Sequence, residues 1–194
     1  MDWTRLLVAQ LEFYWDVHLW PRLQGLTDEE YLWEPVDGCW TVRRGPDGRF
    51  TVDGPWTDAD PPPVTTVAWR MLHIGIGCFA IRTSAFFGDG SVPADATMFD
   101  PRHIPADLPG TADDAVAFLE REYGRWHAAI SGLDRAALEA PLGRRGGQFA
   151  KDPMAGLIVH VNREVMHHGG EIGALRDLYR ATGATSRHDR LRVG

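Results

Sequence analysis

From residue 152 to residue 179 the chain keeps an unbroken helical period, and the ionisable side chains of that stretch lie close to its most apolar face. Taking His160 as the origin and about 100° per residue, Leu157 and Leu175 fall at about 60°, Val161 at about 100°, Ile172 at about 120° and Val165 at about 140°. The buried direction is therefore at about 100°. On the same wheel His167 lies at about −20°, Glu171 at about 20°, Glu164 at about 40° and His168 at about 80°. Glu164 and His168 point inward, whereas His160 and His167 stand at the edge. A carboxylate held in an apolar interior must be paired, because an isolated buried ion is too costly to keep. The i, i+4 spacing of Glu164 and His168 offers two solutions, a salt bridge or a shared metal ion.

Such a helix needs partners, and three more amphipathic segments supply them. Residues 3–20 carry Leu6, Leu7, Leu11, Trp15 and Leu19 on one stripe, to be ended by Pro21 or Gly25. Residues 64–87 carry Val67, Trp69, Leu72, His73, Ile76 and Phe79. Thr111, followed by Asp113 and Asp114, caps a third helix to about residue 130 with Phe118, Leu119 and Trp126 as core positions. Asp152 as cap and Pro153 at the first helical position open the fourth. Thr27 caps a short helical turn, residues 133–142 offer a short helix, and residues 88–110 form a long crossing loop. Two β-prone runs flank Gly45-Pro-Asp-Gly48, so the connection between helices one and two is expected to hold a β-hairpin. The expectation is an all-α four-helix bundle over residues 1–183, with a disordered tail at 184–194.

The 194 residues suit one core. Twenty basic against 27 acidic side chains give a net charge of −7, without the basic excess that a phosphate backbone requires. No run approaches the roughly 20 apolar residues of a membrane span, and Met1-Asp2-Trp3 lacks the order of a signal peptide, so a cytoplasmic protein is expected. Cys39 and Cys78 form no Cys-x-x-Cys pair; any metal must use His and carboxylate ligands. Cys78 lies across an ideal helix from His73 and is expected to be inert core. Gly75-Ile-Gly-Cys-Phe-Ala80 matches a dinucleotide-binding string but sits inside a helix instead of after a strand. Its glycines either leave room beside a site or allow close helix contact. His73 shares a face with Trp69 and Ile76, and facing Glu164 and His168 it completes a two-His, one-Glu set typical of catalytic zinc.

Three motifs carry a family resemblance: Thr65-Thr-Val-Ala-Trp-Arg-Met-Leu-His73, Asn162-Arg-Glu-Val-Met-His-His168-Gly, and Leu26-Thr-Asp-Glu-Glu-Tyr-Leu-Trp-Glu-Pro35. The chain resembles the DinB-like superfamily of metal-dependent four-helix bundles, which includes low-molecular-weight-thiol S-transferases and mycothiol-dependent maleylpyruvate isomerase. That resemblance implies an up-down-down-up bundle and a metal held by His73, Glu164 and His168. Glu164 stands where many members have the first His of a His-x-x-x-His pair, as in the mycothiol-using branch, and Gly169-Gly-Glu171 stands where they have Arg-Gly-Gln.

The implied activity is a metal-dependent thiol transferase or isomerase acting on a small electrophile. Zinc is the expected metal, with nickel and iron as alternatives, and mycothiol or another small thiol is the expected cosubstrate. An Arg bias that leaves Lys151 as the sole lysine suits GC-rich coding and hence mycothiol. The alternatives are a hydrolase using water at the metal, and a non-catalytic ligand-binding module stabilised by its metal. His160 and His167, with Glu171, are candidate proton carriers. Trp69 is expected to wall the pocket, with Trp40 or Trp56 contributing. The expected partners are the thiol, the electrophile and a second copy of the chain in a homodimer, with no nucleic acid and no membrane.

Overall fold

The computed structural model describes residues 1–54, 61 and 63–183. Trp56 and the expected tail at 184–194 lie outside the described residues. Helix α1 begins at Trp3–Tyr14, capped by the Asp2 carboxylate on the Arg5 amide, passes through a π-helical turn at Trp15–Leu19 and ends as Trp20–Leu23. Pro21 does not stop it. The preceding turn bonds Trp20 N–H back five residues to the Trp15 carbonyl, and this widened winding accepts a proline that has no N–H to place. Gly25, at φ 66°, ends the helix.

The short helix α2, Asp28–Tyr31, is capped by Thr27 as expected. Strands β1 (Val42–Arg44) and β2 (Phe50–Val52) pair antiparallel with Val42 opposite Val52. Helix α3 runs through Val67–Leu72, a π-helical stretch His73–Ala80, and Ile81–Phe87. It starts three residues later than expected because Val64 to Thr66 are engaged as extended chain: Trp40 N–H donates to the Val64 carbonyl and Thr66 N–H to the Trp40 carbonyl. The Thr66 hydroxyl then caps the helix on the Trp69 amide.

Helix α4, Ala112–Ser131, begins at its Thr111 cap and buries Phe118, Leu119 and Trp126. Helix α5 is Arg135–Glu139, and the glycine-rich loop after it forms a 3-10 segment, Gly143–Phe149. Helix α6, Met154–Ala181, has Pro153 in the cap position with no side-chain cap. Asp152 does not cap it; its carbonyl accepts the Leu142 amide in a short extended pairing that leads into the helix.

Cross-helix contacts set the directions. Along α1 and α6, Asn162 donates to the Leu7 carbonyl, Tyr14 meets Gly169, and Arg22 reaches the Gly173 carbonyl, so the two run parallel. Along α3 and α4, Gly75 meets Phe118, Phe79 meets Tyr123 and Phe87 meets Trp126, again parallel. Trp15 stacking on Tyr123 and His127 bonding Glu12 make α1 and α4 antiparallel. The result is an up-down-down-up bundle plus a hairpin, the expected class. Gly75 is explained by contact: a Cβ there would stand 2.5 Å from the Phe118 ring. A fully buried pair, absent from the sequence reading, ties α2 to α6. Arg176 Nε and Nη2 each donate to a Glu30 oxygen at 2.8 Å, and Nη1 donates to the Arg22 and Gln24 carbonyls.

Candidate metal centre

The hairpin positions the first residue of the site. Asp53, at the end of β2, accepts the Thr41 amide and Arg43 Nε on its carboxylate, while its carbonyl accepts the Trp69 indole N–H at 3.0 Å. Trp69 is thereby fixed at the start of α3, with Trp40 tilted against it at 5.8 Å. One turn on, the His73 ring stacks on Trp69 with centroids 5.0 Å apart and planes 12° from parallel. Its other neighbour is His168 on α6, edge-on at 4.5 Å. Burial, then repulsion from His168 in its protonated form and from Arg70, pushes the His73 pKa down to about 3. The ring is neutral and keeps a lone pair for a ligand.

His168 is 8% exposed and lies between two carboxylates of its own helix. Its Nδ1 is 2.7 Å from Glu171 Oε2 and its Nε2 is 3.3 Å from Glu164 Oε2. Burial acts to raise the Glu171 pKa, but the His168 hydrogen bond and the Arg70, His168 and His167 charges outweigh it and hold the carboxyl below its usual range. Glu171 is thus an acceptor, and the proton of that short contact belongs to Nδ1. Arg70, from α3, pairs with that carboxylate, its Nε 3.0 Å from Glu171 Oε2, while its Nη1 stands 3.1 Å from His168 Nδ1. The Nε2 lone pair then faces the Glu164 carboxylate. Two electron-rich groups at that distance require a proton or a cation between them.

The structure brings His73, Glu164 and His168 together: each offers a ligand atom within 4.8 Å of the others. This donor set fits a divalent metal, with two imidazoles, one carboxylate, and a second carboxylate orienting one of the imidazoles. A second group of that kind, His167, His168 and Glu171, overlaps the first. It spends the Nδ1 that Glu171 occupies, and the His167 side chain is 65% exposed. The inner set is the better candidate.

The remaining expected residues divide by side. His160 is partly buried, its Nδ1 2.9 Å from Arg163 Nη2 and 3.7 Å from Glu164 Oε1. It also lines a cavity of about 460 Å³ beside the cluster. His167 lies on the opposite flank, in a groove with Leu7, Gln10 and Met166. Trp69 is 6% exposed and spends its face on His73. The 460 Å³ cavity takes its walls from α3, residues 98–99, the segment leading into α6 and the first turns of α6; neither Trp69 nor Trp40 lines it.

Cys78 is not across the helix from His73. The i→i+5 winding of His73–Ala80, seen in the Ile81 N–H bonded to the Ile76 carbonyl, sets residue 78 about one turn above residue 73. The Glu164 carboxylate accordingly acts on the Cys78 thiol, and burial together with that charge pushes its pKa up to about 12. The group is an inert thiol at neutral pH. Sequence reasoning missed Glu171 as the partner of His168, although the i, i+3 spacing was visible, and missed Arg70, one turn before His73. The glycine at 169 has a local cause: a Cβ there would stand 2.5 Å from the Tyr14 hydroxyl.

Among the described residues no helix is long and apolar enough to cross a membrane. The family described as the DinB superfamily has a model that matches residues 10–172. No curated protein and no solved structure matches the chain.

Proposed function

We propose that this chain, which belongs to the DinB superfamily, binds one divalent metal, zinc first, through His73, Glu164 and His168, and uses it to transfer or isomerise a small electrophile by means of an external low-molecular-weight thiol such as mycothiol. The observation that carries the reading is His168 itself, whose Nδ1 is tied to Glu171 at 2.7 Å while Nε2 faces Glu164 at 3.3 Å with His73 alongside. Three protein donors are what catalytic zinc sites use, and the bound cation favours the conjugate base of a thiol near neutral pH.

The chain's own residues account for the rest. Glu171 fixes the tautomer and orientation of His168, Arg70 steadies Glu171, and the Trp69 stack holds the His73 plane. His160 accepts from Arg163 at Nδ1, so its proton is on Nε2 at the cavity wall, where it can donate a hydrogen bond to a developing anion. His167, on the other flank, takes no part. No protein sulfur competes, because Cys39 and Cys78 are both buried and Cys78 remains protonated.

The test combines elemental analysis with turnover of a chromogenic electrophile in the presence of mycothiol. One metal per chain, activity abolished by chelation, and activity retained in Cys39→Ala and Cys78→Ala are expected. Undiminished metal in His168→Ala defeats the ligand assignment, and turnover in thiol-free buffer replaces the transferase by a hydrolase.

A further inference from the structure

Arg82 lies on α3 nine residues beyond His73, and its burial is poorly compensated. Its Nη1 donates to the Met98 carbonyl at 2.8 Å and its guanidinium lies 5.4 Å from the centre of the Phe99 ring. Nε is buried without a hydrogen-bond partner, and among the described residues no carboxylate forms a salt bridge with it. One carbonyl thus serves a group with five donors and a permanent charge. A partly buried cation in that state lacks a counter-ion.

The cavity of about 460 Å³ beside it has the volume of a small-molecule site. Two of its walls are the rings of Phe99 and Phe149, 6.1 Å apart and 52% and 42% exposed, so apolar surface faces open space there. His160 adds a donor, because Arg163 occupies its Nδ1. The charged groups of the lining itself are Arg82, Arg163 and one acid, Asp152, a net charge of +1; Arg163 is turned toward Glu164 at 3.8 Å, so among the described residues Arg82 is the lining cation without a salt-bridge partner. The lining therefore selects a monoanion over phosphate, and a flat apolar body over a polar one.

We propose that this cavity binds a small monocarboxylate with a flat, unsaturated or aromatic body, its carboxylate toward Arg82 and its body against the Phe99–Phe149 pair. Binding requires no metal; that the bound acid is the electrophilic substrate rests on the function proposed above.

The test is a fluorine NMR titration of 4-fluorobenzoate and its neutral isostere 4-fluorobenzamide with the whole chain, both zinc-loaded and chelated. The acid is expected to bind at least tenfold tighter than the amide, equally well after chelation, and at least tenfold weaker in Arg82→Gln and severalfold weaker in Phe149→Ala. Should Arg82→Gln fail to fold by circular dichroism, Arg82→Lys and the acid-to-amide ratio of the wild type decide. Equal binding of acid and amide overturns the proposal, as does an unchanged affinity in a folded Arg82→Gln or displacement by equimolar inorganic phosphate. Binding lost on chelation moves the acid onto the metal cluster and overturns the cavity alone. A chain that binds the acid but no metal overturns the function proposed above and leaves the cavity standing.

Discussion

Glu171→Gln is the sharpest probe of the cluster because it keeps the size of the side chain and removes its charge. Glu171 is about one-third exposed, so the substitution leaves the helix core intact. At 2.7 Å from His168 Nδ1 the wild-type contact is a charge-assisted hydrogen bond, worth about 1.5–3 kcal/mol, whereas a neutral amide acceptor contributes about 0.5–1.5 kcal/mol. The difference, about 1–1.5 kcal/mol, corresponds to roughly a tenfold loss of metal affinity, the lower end of the 10–100-fold range for partners of metal-bound histidines. Glu171→Ala, which leaves Nδ1–H with water or nothing, should approach the upper end. Competition for zinc against a chromophoric chelator at pH 7.5 reads both. Wild-type affinity in both variants would refute the claim that Glu171 orients a ligand. A loss in Glu171→Gln as large as that in His73→Ala would make Glu171 a ligand itself. In that case His167→Ala, expected to be silent, should lose metal as well, and the site would move to the outer group of His167, His168 and Glu171.

Two further expectations concern the metal-free fold. His73 titrates at about 3 when folded against about 6.5 unfolded, so below pH 6.5 the unfolded chain binds a proton that the native one refuses. Stability should fall as pH drops from about 6.5 toward 3, with a slope approaching about 1.4 kcal/mol per unit from this group; urea unfolding across that window should show a shallower slope in His73→Gln, and an identical slope would dismiss it. Arg176→Met strands the buried Glu30 carboxylate and should cost about 3–5 kcal/mol, a Tm fall of about 6–20 °C for a chain of this size. Adding Glu30→Leu should recover most of that in calorimetry, and a double variant as unstable as the single would show that the lost contacts to the Arg22 and Gln24 carbonyls dominate instead.

What was legible in the chain follows from which residues mark a helical phase. Helix α4 is bounded by a Thr cap and has one clean apolar stripe, and α6 carries ionisable side chains at i, i+4 and i+8, so the ends of the first and the ligand face of the second can be computed from spacing alone. The Pro-Asp-Gly turn likewise announces the hairpin. Helix α3 has no such marker between His73 and Ala80: Ile-Gly-Ile-Gly-Cys-Phe is apolar or blank at every position, so a change of winding leaves no trace in the pattern. That change has consequences beyond Cys78. In an unbroken α-helix Arg82, nine residues from His73, would stand about 180° around the axis from it. Absorbing one residue in the π-helical stretch reduces the effective spacing to eight and the angle to about 80°. The charge of Arg82 accordingly acts on both His73 and His160, although neither spacing suggests that it should. The wide winding that begins at His73 is therefore the feature that swings a cation toward the neighbouring cavity. Restoring regular winding would separate the two sites, even with every ligand in place.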